Sequence, residues 1–177
     1  MMSGNHILYI IGFMGSGKTT TGKRVASLLG WSFVDLDKKI EEHTGLKIPE
    51  IFSLHGEEHF RIVEAEALRS LDTETNTVIS TGGGTPCYGS NMEYMLQTGL
   101  TIYLKLTPRQ LMSRLSNSAE DRPLIKNLSG ENLLNFIGDK LEFREKWYEK
   151  AELIIEGFDP DLSNLNFRIR SHFRLQD

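Results

Sequence analysis

Residues 12–19 read G-F-M-G-S-G-K-T, set between an apolar run and an amphipathic one. Few stretches of eight residues restrict a fold as strongly. Three glycines allow a backbone that takes positive φ and brings its amides close to a ligand. Successive N–H groups can then surround a phosphate, with the positive end of a following helix behind them. The run fits G-x-x-x-x-G-K-[ST] at each fixed position, a pattern that needs a strand before it and a helix after it. His6 to Ile11 supplies the strand-like run, and Val25, Leu28 and Leu29 supply a helical period. Gly12, Gly15, Ser16, Gly17, Lys18, Thr19 and Thr20 are therefore expected to bind the phosphates of a nucleoside triphosphate. Lys18 adds a mobile charge for the outer phosphates, and the Thr19 hydroxyl is placed to ligate Mg²⁺.

The rest of the chain repeats the alternation. "WSFVDLD" reads as a second strand and is followed by a helical segment from Lys38 to about Leu71, interrupted near Gly45 to Pro49 and again at Gly56. "NTVIST" is a third strand that runs straight into Gly82, Gly83 and Gly84. Ser90 reads as the N-cap of a helix to about Thr98, "LTIYLKL" as a fourth strand, and Pro108 as the first residue of another helix. Helical period returns over 131–150, and "AELIIE" is a fifth strand. Strands alternating with helices predict an α/β fold with a parallel sheet covered on both faces. Ligands of such sheets lie at the carboxyl ends of the strands. Residues 117–130 are polar, aperiodic and contain a proline, which predicts a lid loop. A length of 177 residues predicts a single domain spanning 1–177.

Charge and cysteine content narrow the partners. With 20 basic and 24 acidic residues the net charge is −4, which argues against a general binder of nucleic acid or acidic membranes. Any anionic ligand must meet locally placed arginines. Cys87 is the only cysteine, so an intrachain disulfide and a cysteine-rich zinc site are excluded. The apolar run Ile7 to Met14 is too short to span a bilayer and lacks the basic flank of a signal peptide. A cytoplasmic monomer is the expectation.

Several groups are placed to handle a phosphate acceptor. Asp35 and Asp37 close the second strand two residues apart and project to the same side. One carboxylate could organise Mg²⁺ while the other takes a proton from an acceptor hydroxyl; equally, strand-end aspartates often cap helices, and Asp37 is placed to cap the next one. The glycine triplet 82–84 offers bare backbone beside the first loop. In the last long helix Ile137, Leu141, Arg144 and Tyr148 step by three or four and share a face. A guanidinium on that apolar stripe needs a partner, either a ligand or a structural carboxylate. Arg61 has Glu64 one turn on to orient it, and two fixed arginines can grip a carboxylate bidentately. Phe52 and Phe60 could floor a ring or simply fill the core. His55-Gly56-Glu57-Glu58-His59 matches a zinc-peptidase pattern, H-x-x-E-H, but Gly56 weakens the helix that pattern requires.

Taken together these residues resemble shikimate kinase over nearly the whole chain. The matching pieces are GFMGSGKT, D-L-D at Asp35 to Asp37, GEEHFRIVE around Arg61 and TGGG at Thr81 to Gly84. R-P-L at Arg122 to Leu124 and E-F-R before a Trp-Tyr pair at Arg144 complete the set. The resemblance implies a P-loop NTPase fold of the nucleoside monophosphate kinase type, with five parallel strands ordered 2-3-1-4-5 and an acceptor-binding segment at about 38–71. It implies transfer of the γ-phosphoryl of ATP to the 3-hydroxyl of shikimate. Asp37 would bind the acceptor diol and take the proton. Arg61, Arg144 and the backbone of Gly83 and Gly84 would hold shikimate, and Thr19 and Asp35 would organise Mg²⁺. Lys18 and Arg122 would hold the transferring phosphoryl group, and Arg114 would stack on adenine. Gluconate kinase, a nucleoside monophosphate kinase and a non-catalytic nucleotide-binding module are the alternatives. Two stretches depart from the family pattern. Thr85-Pro86-Cys87 stands where many members carry small aliphatic residues, and the segment Phe158 to Leu162 is acidic where the family often has a basic residue.

Overall fold

The computed structural model describes residues 5–71, 74–116, 125 and 128–175. Five strands, β1 (Ile7–Ile11), β2 (Ser32–Asp35), β3 (Thr77–Ser80), β4 (Leu100–Lys105) and β5 (Leu153–Glu156), form one sheet in the order β2-β3-β1-β4-β5. Every pairing is parallel. The expected fold class and strand order are both borne out. The central strands carry buried apolar residues on both faces, so they read as unbroken apolar runs rather than alternating ones. Leu8, Ile10, Leu100 and Ile102 pack with Val25, Ala26, Leu165 and Ile169 of helices α1 (Lys18–Leu29) and α7 (Leu162–Phe173). Tyr9, Ile11, Ile79 and Tyr103 face the opposite layer. That layer holds α2 (Leu36–Thr44), α3 (Ile48–Arg69), α4 (Asn91–Thr98), α5 (Pro108–Ser116) and α6 (Gly130–Tyr148). Among the described residues no helix is long and apolar enough to cross a membrane.

The topology decides where a ligand can sit. From β1 the chain moves to β2 on one side, and from β3 it crosses over β1 to β4 on the other, so the loop after β1 emerges where the strand order reverses. Register brings its neighbours level with it: Asp35 lies opposite Ser80, and Ser80 opposite Ile10. The ends of β1, β2 and β3 therefore open onto one space.

Local rules account for most element ends, with some corrections. Helix α3 is broken at Gly56, whose φ of 81° is left-handed, as the sequence interruption implied. Helix α5 starts at Pro108 behind a reciprocal cap, Thr107 N–H to Gln110 Oε1 at 2.8 Å and Gln110 N–H to Thr107 Oγ1 at 3.3 Å. Ser90 precedes α4, but its side chain makes no cap; its Oγ accepts from Arg69 Nη2 at 3.0 Å instead. Leu28 is exposed rather than part of the buried face of α1, where Ala26 takes its place. Helix α7 has no counterpart among the sequence expectations; of its apolar residues Leu165 and Ile169 are buried, whereas Phe167 is exposed.

Gly99, between α4 and β4, sits where a β-carbon would lie 2.5 Å from the Ile7 carbonyl oxygen. The atom in the way is backbone inside the sheet and cannot yield cheaply. Gly99→Ala is expected to destabilise the fold by about 2–3 kcal/mol, read as a fall of roughly 5–10 °C in melting temperature. An unchanged melt would show that the β1–β4 pair slides to make room.

Candidate active site

The loop after β1 closes tightly on itself. Gly12, Gly15 and Gly17 all take positive φ, at 143°, 78° and 92°, so the glycines are required by the backbone path. Lys18 reaches back across the loop, its Nζ donating to the carbonyls of Gly12 and Phe13 at 3.0 Å each. Arg114, from α5, holds the other side: its Nη1 donates to the Ser16 carbonyl at 3.0 Å and the Gly15 carbonyl at 3.4 Å. The same guanidinium lies 5.0 Å from the Phe158 ring centroid. Arg114 thus binds the loop itself and presents a flat cation at its rim. Lys18, Thr19, Asp35, Asp37, Ser80 and Gly83 line one cavity of about 420 Å³, with Gly15, Gly17, Thr20 and Arg114 at its walls. A larger cleft of about 590 Å³ beside Lys105 contains none of the predicted site residues, so size alone does not mark the site.

The two aspartates separate by role. Asp35 is the cap of α2, its carboxylate accepting from Lys38 N–H at 3.4 Å and from the Thr19 hydroxyl at 2.9 Å. Asp37 lies in the first turn and does not cap. Its carboxyl faces the cavity and its pKa is pushed up to about 6. Burial is the main cause, opposed by Lys18 and reinforced by Asp35, Glu64 and Glu41. The Ser80 hydroxyl lies 3.4 Å from that of Thr19, which completes a small set of oxygens at the carboxyl ends of β2 and β3.

Three consecutive glycines bring the remaining groups together. A β-carbon at Gly82 would lie 2.8 Å from Asp37 Oδ1. At Gly83 it would lie 3.4 Å from Arg144 Nη1 and 3.2 Å from the Met14 amide nitrogen of the phosphate loop. At Gly84 it would lie 2.8 Å from both Nη atoms of Arg61. Bare backbone thus lets a proton acceptor and two guanidiniums approach one short segment, with the phosphate loop touching its middle. The sequence singled out Gly83 and Gly84 as ligands; the structure adds Gly82 as the residue whose missing side chain admits Asp37.

The two arginines are held differently. Arg61 pairs with Glu64 through Nη1 at 2.9 Å and with Glu57 through Nη2 at 2.9 Å and Nε at 3.3 Å. Its guanidinium stacks on Tyr88, 3.9 Å from the ring centroid, and the Tyr88 hydroxyl donates to Glu57 at 2.8 Å. A guanidinium has five N–H bonds, and three are used in this way. The other two belong to Nη1 and Nη2, the atoms that crowd Gly84. Arg144 makes no ion pair with any carboxylate among the described residues; its charge lies 5.3 Å from the Phe13 ring centroid and beside the Tyr148 hydroxyl. Among the described residues, the structural salt bridge weighed for Arg144 is therefore not formed. Tyr148, its pKa raised by burial, donates to the Gly83 carbonyl and so fixes the glycine segment. Its spacing from Arg144 put both on one face, but nothing in the sequence pointed to that carbonyl. Arg122 and most of the expected lid lie outside the described residues.

Similarity to known proteins agrees with this geometry. A family model described as shikimate kinase matches residues 14–163. A shikimate kinase of Parabacteroides distasonis is 42% identical over 149 residues, covering 84% of this chain and 86% of that protein. The crystal structure of shikimate kinase from Bacteroides thetaiotaomicron superposes with a TM-score of 0.87 at 35% identity, over 96% of this chain and 99% of that one. A shikimate kinase from Acinetobacter baumannii in complex with shikimate gives 0.82 at 34% identity, over 96% and 93%. With a family model matched across most of its length and relatives this similar, the chain belongs to the shikimate kinase family.

Proposed function

We propose that the protein transfers the γ-phosphoryl group of ATP to the 3-hydroxyl of shikimate. The observation that carries this reading is the glycine segment 82–84, pressed in turn against Asp37, Arg144 and Arg61 while touching the phosphate loop at Met14. Such a site takes a small hydroxylated acid beside a nucleotide. Asp37 accepts the proton of the attacking hydroxyl, and a pKa of about 6 leaves it ionised at pH 7 yet basic enough to act. The hydroxyl oxygen bonds to the γ-phosphorus as the bond to the β–γ bridging oxygen breaks. Lys18 leaves its loop carbonyls to meet the charge on the phosphoryl oxygens, and the family resemblance gives Arg122 the same task. Arg61 and Arg144 hold the shikimate carboxylate, and Gly83 and Gly84 its hydroxyls. Arg114 offers its flat cation to adenine.

Thr19, Asp35 and Ser80 present only oxygen donors, the set preferred by Mg²⁺. Bound there with the nucleotide, Mg²⁺ would neutralise part of the phosphate charge. Thr19 and Asp35 would hold it directly or through water. The same reading treats the 177 residues as one catalytic domain acting as a cytoplasmic monomer.

A coupled assay of ADP release with Mg-ATP tests the acceptor, with shikimate, gluconate and the nucleoside monophosphates supplied in parallel. Release should depend on shikimate. Turnover with gluconate or a nucleotide instead would replace the acceptor, and nucleotide binding without turnover would remove the catalytic reading.

A further inference from the structure

Three side-chain oxygens converge beside Gly82. A β-carbon there would lie 2.8 Å from Asp37 Oδ1, 2.9 Å from Thr85 Oγ1 and 3.0 Å from Glu64 Oε1. The side chain of Thr85 is fully buried. Its hydroxyl donates to Glu64 Oε1 over 2.6 Å, the length of a hydrogen bond to a charged oxygen. Glu64 is 1% exposed, so each of its oxygens needs a donor from the protein. Oε2 takes Arg61 Nη1, and Oε1 takes Thr85.

Thr85 is itself fixed. Asn91 Nδ2 donates to its carbonyl at 3.0 Å, and Arg69 Nη1 holds Asn91 Oδ1 at 2.8 Å. The Thr85 amide donates to the Gly82 carbonyl at 3.3 Å. The hydroxyl therefore stands at a set point, and Glu64 conforms to it.

We propose that Thr85 is a positioning residue for the acceptor's carboxylate, acting through Glu64 on Arg61. By occupying Oε1 it makes Glu64 meet Arg61 through one oxygen only. The remaining N–H bonds of Nη1 and Nη2, at Gly84, are then not drawn to Glu64. Without the hydroxyl, Oε1 is a buried acceptor on a carboxylate whose other oxygen already binds Arg61 Nη1. Fork-on-fork pairing between a carboxylate and a guanidinium is the favoured geometry, so Arg61 would turn into an internal pair. A buried hydroxyl thus tunes acceptor affinity in this chain. The proposal rests on the reading of Arg61 as a ligand of the acceptor carboxylate.

Two substitutions test it. Thr85→Val keeps the shape and removes the hydroxyl; Thr85→Ser restores the hydroxyl. The KM for shikimate should rise about tenfold or more in Thr85→Val, as for loss of one hydrogen bond to a buried charge. The kcat and the KM for ATP should stay within about twofold, the pattern of lost ground-state binding. Thr85→Ser should return the shikimate KM most of the way. An unchanged shikimate KM, an equal loss in both KM values, or a serine variant as weak as valine would each overturn the proposal. Should the valine variant not melt cooperatively, Thr85→Ala gives the same comparison. The ligand-free crystal structure of the valine or alanine variant separates this idea from the acceptor assignment. Glu64 should bind Arg61 through both oxygens there. A pair still made through one oxygen overturns the role of Thr85 whatever the acceptor proves to be, whereas wild-type protein without shikimate turnover refutes the acceptor alone.

Discussion

Replacing Asp37 by asparagine is expected to lower kcat by roughly 10²–10⁴-fold while making the ligand-free protein more stable at pH 7. Loss of activity follows from geometry. Asp37 lies against Gly82 at the end of the cavity and does not serve as the cap of α2, a task that Asp35 performs. Asparagine keeps the shape but cannot take the proton of the acceptor hydroxyl. The gain in stability follows from the raised pKa. An acid whose pKa rises on folding, here from 3.8 to about 6, holds its proton more tightly in the folded state. That contribution to stability is fully present below about pH 3.8 and is lost as pH rises through about 6. At pH 7 the folded protein carries a buried, ionised carboxylate among Asp35, Glu64 and Glu41. Each pKa unit corresponds to about 1.4 kcal/mol, so relief on the order of 1–3 kcal/mol is expected from a neutral side chain. Thermal melts without nucleotide or metal check it: the variant should melt higher at pH 7, and the gap should shrink toward pH 4 as Asp37 takes its proton. A variant less stable at both pH values would mean the carboxylate supports the fold. Activity within tenfold of wild type would remove Asp37 as the base.

Removal of the Arg144 guanidinium should weaken shikimate binding by roughly 2–5 kcal/mol, part of it from leaving charges badly paired. Arg144 is the better of the two arginines to test. Arg61 neutralises the buried Glu64, so its loss strands a carboxylate and damages folding together with binding. Arg144 has no such partner among the described residues and rests on Phe13. Arg144→Met can still cover that ring and keep the apolar stripe of Ile137, Leu141 and Tyr148 intact. The variant should keep its ATP affinity and a cooperative melt while its KM for shikimate climbs. Shikimate methyl ester should be a poor substrate of the wild type, because the charge-assisted contacts lose their anion. The ester should lose far less than the acid when Arg144 is changed. Equal losses for acid and ester would assign Arg144 to folding, and an unchanged shikimate KM would remove the carboxylate clamp.

Sequence by itself determined the phosphate loop, the α/β order and the break in α3, because each rests on interactions within a few residues. Positive φ at Gly12, Gly15, Gly17 and Gly56 is a property of single residues. The alternation of apolar strands with helices is a property of adjacent segments, and it implied the parallel sheet that the structure contains. The pairing of Arg61 with Glu64 spans one helical turn and was legible for the same reason. What the tertiary structure alone decided lies between segments far apart in the chain. From the sequence Asp37 was the candidate cap of the next helix; α2 begins at Leu36, which makes Asp35 the cap instead and turns Asp37 toward Gly82. Arg144 could have met a structural carboxylate; among the described residues it takes none and lies over the Phe13 ring. The hydroxyl of Thr85 found Glu64, 21 residues earlier, and the hydroxyl of Tyr148 found Gly83, 65 residues earlier. No local pattern encodes such partners. A side chain's own chemistry sets what it needs, but the identity of the group that satisfies it is fixed only when the layers pack and the register of β1, β2 and β3 brings their ends level.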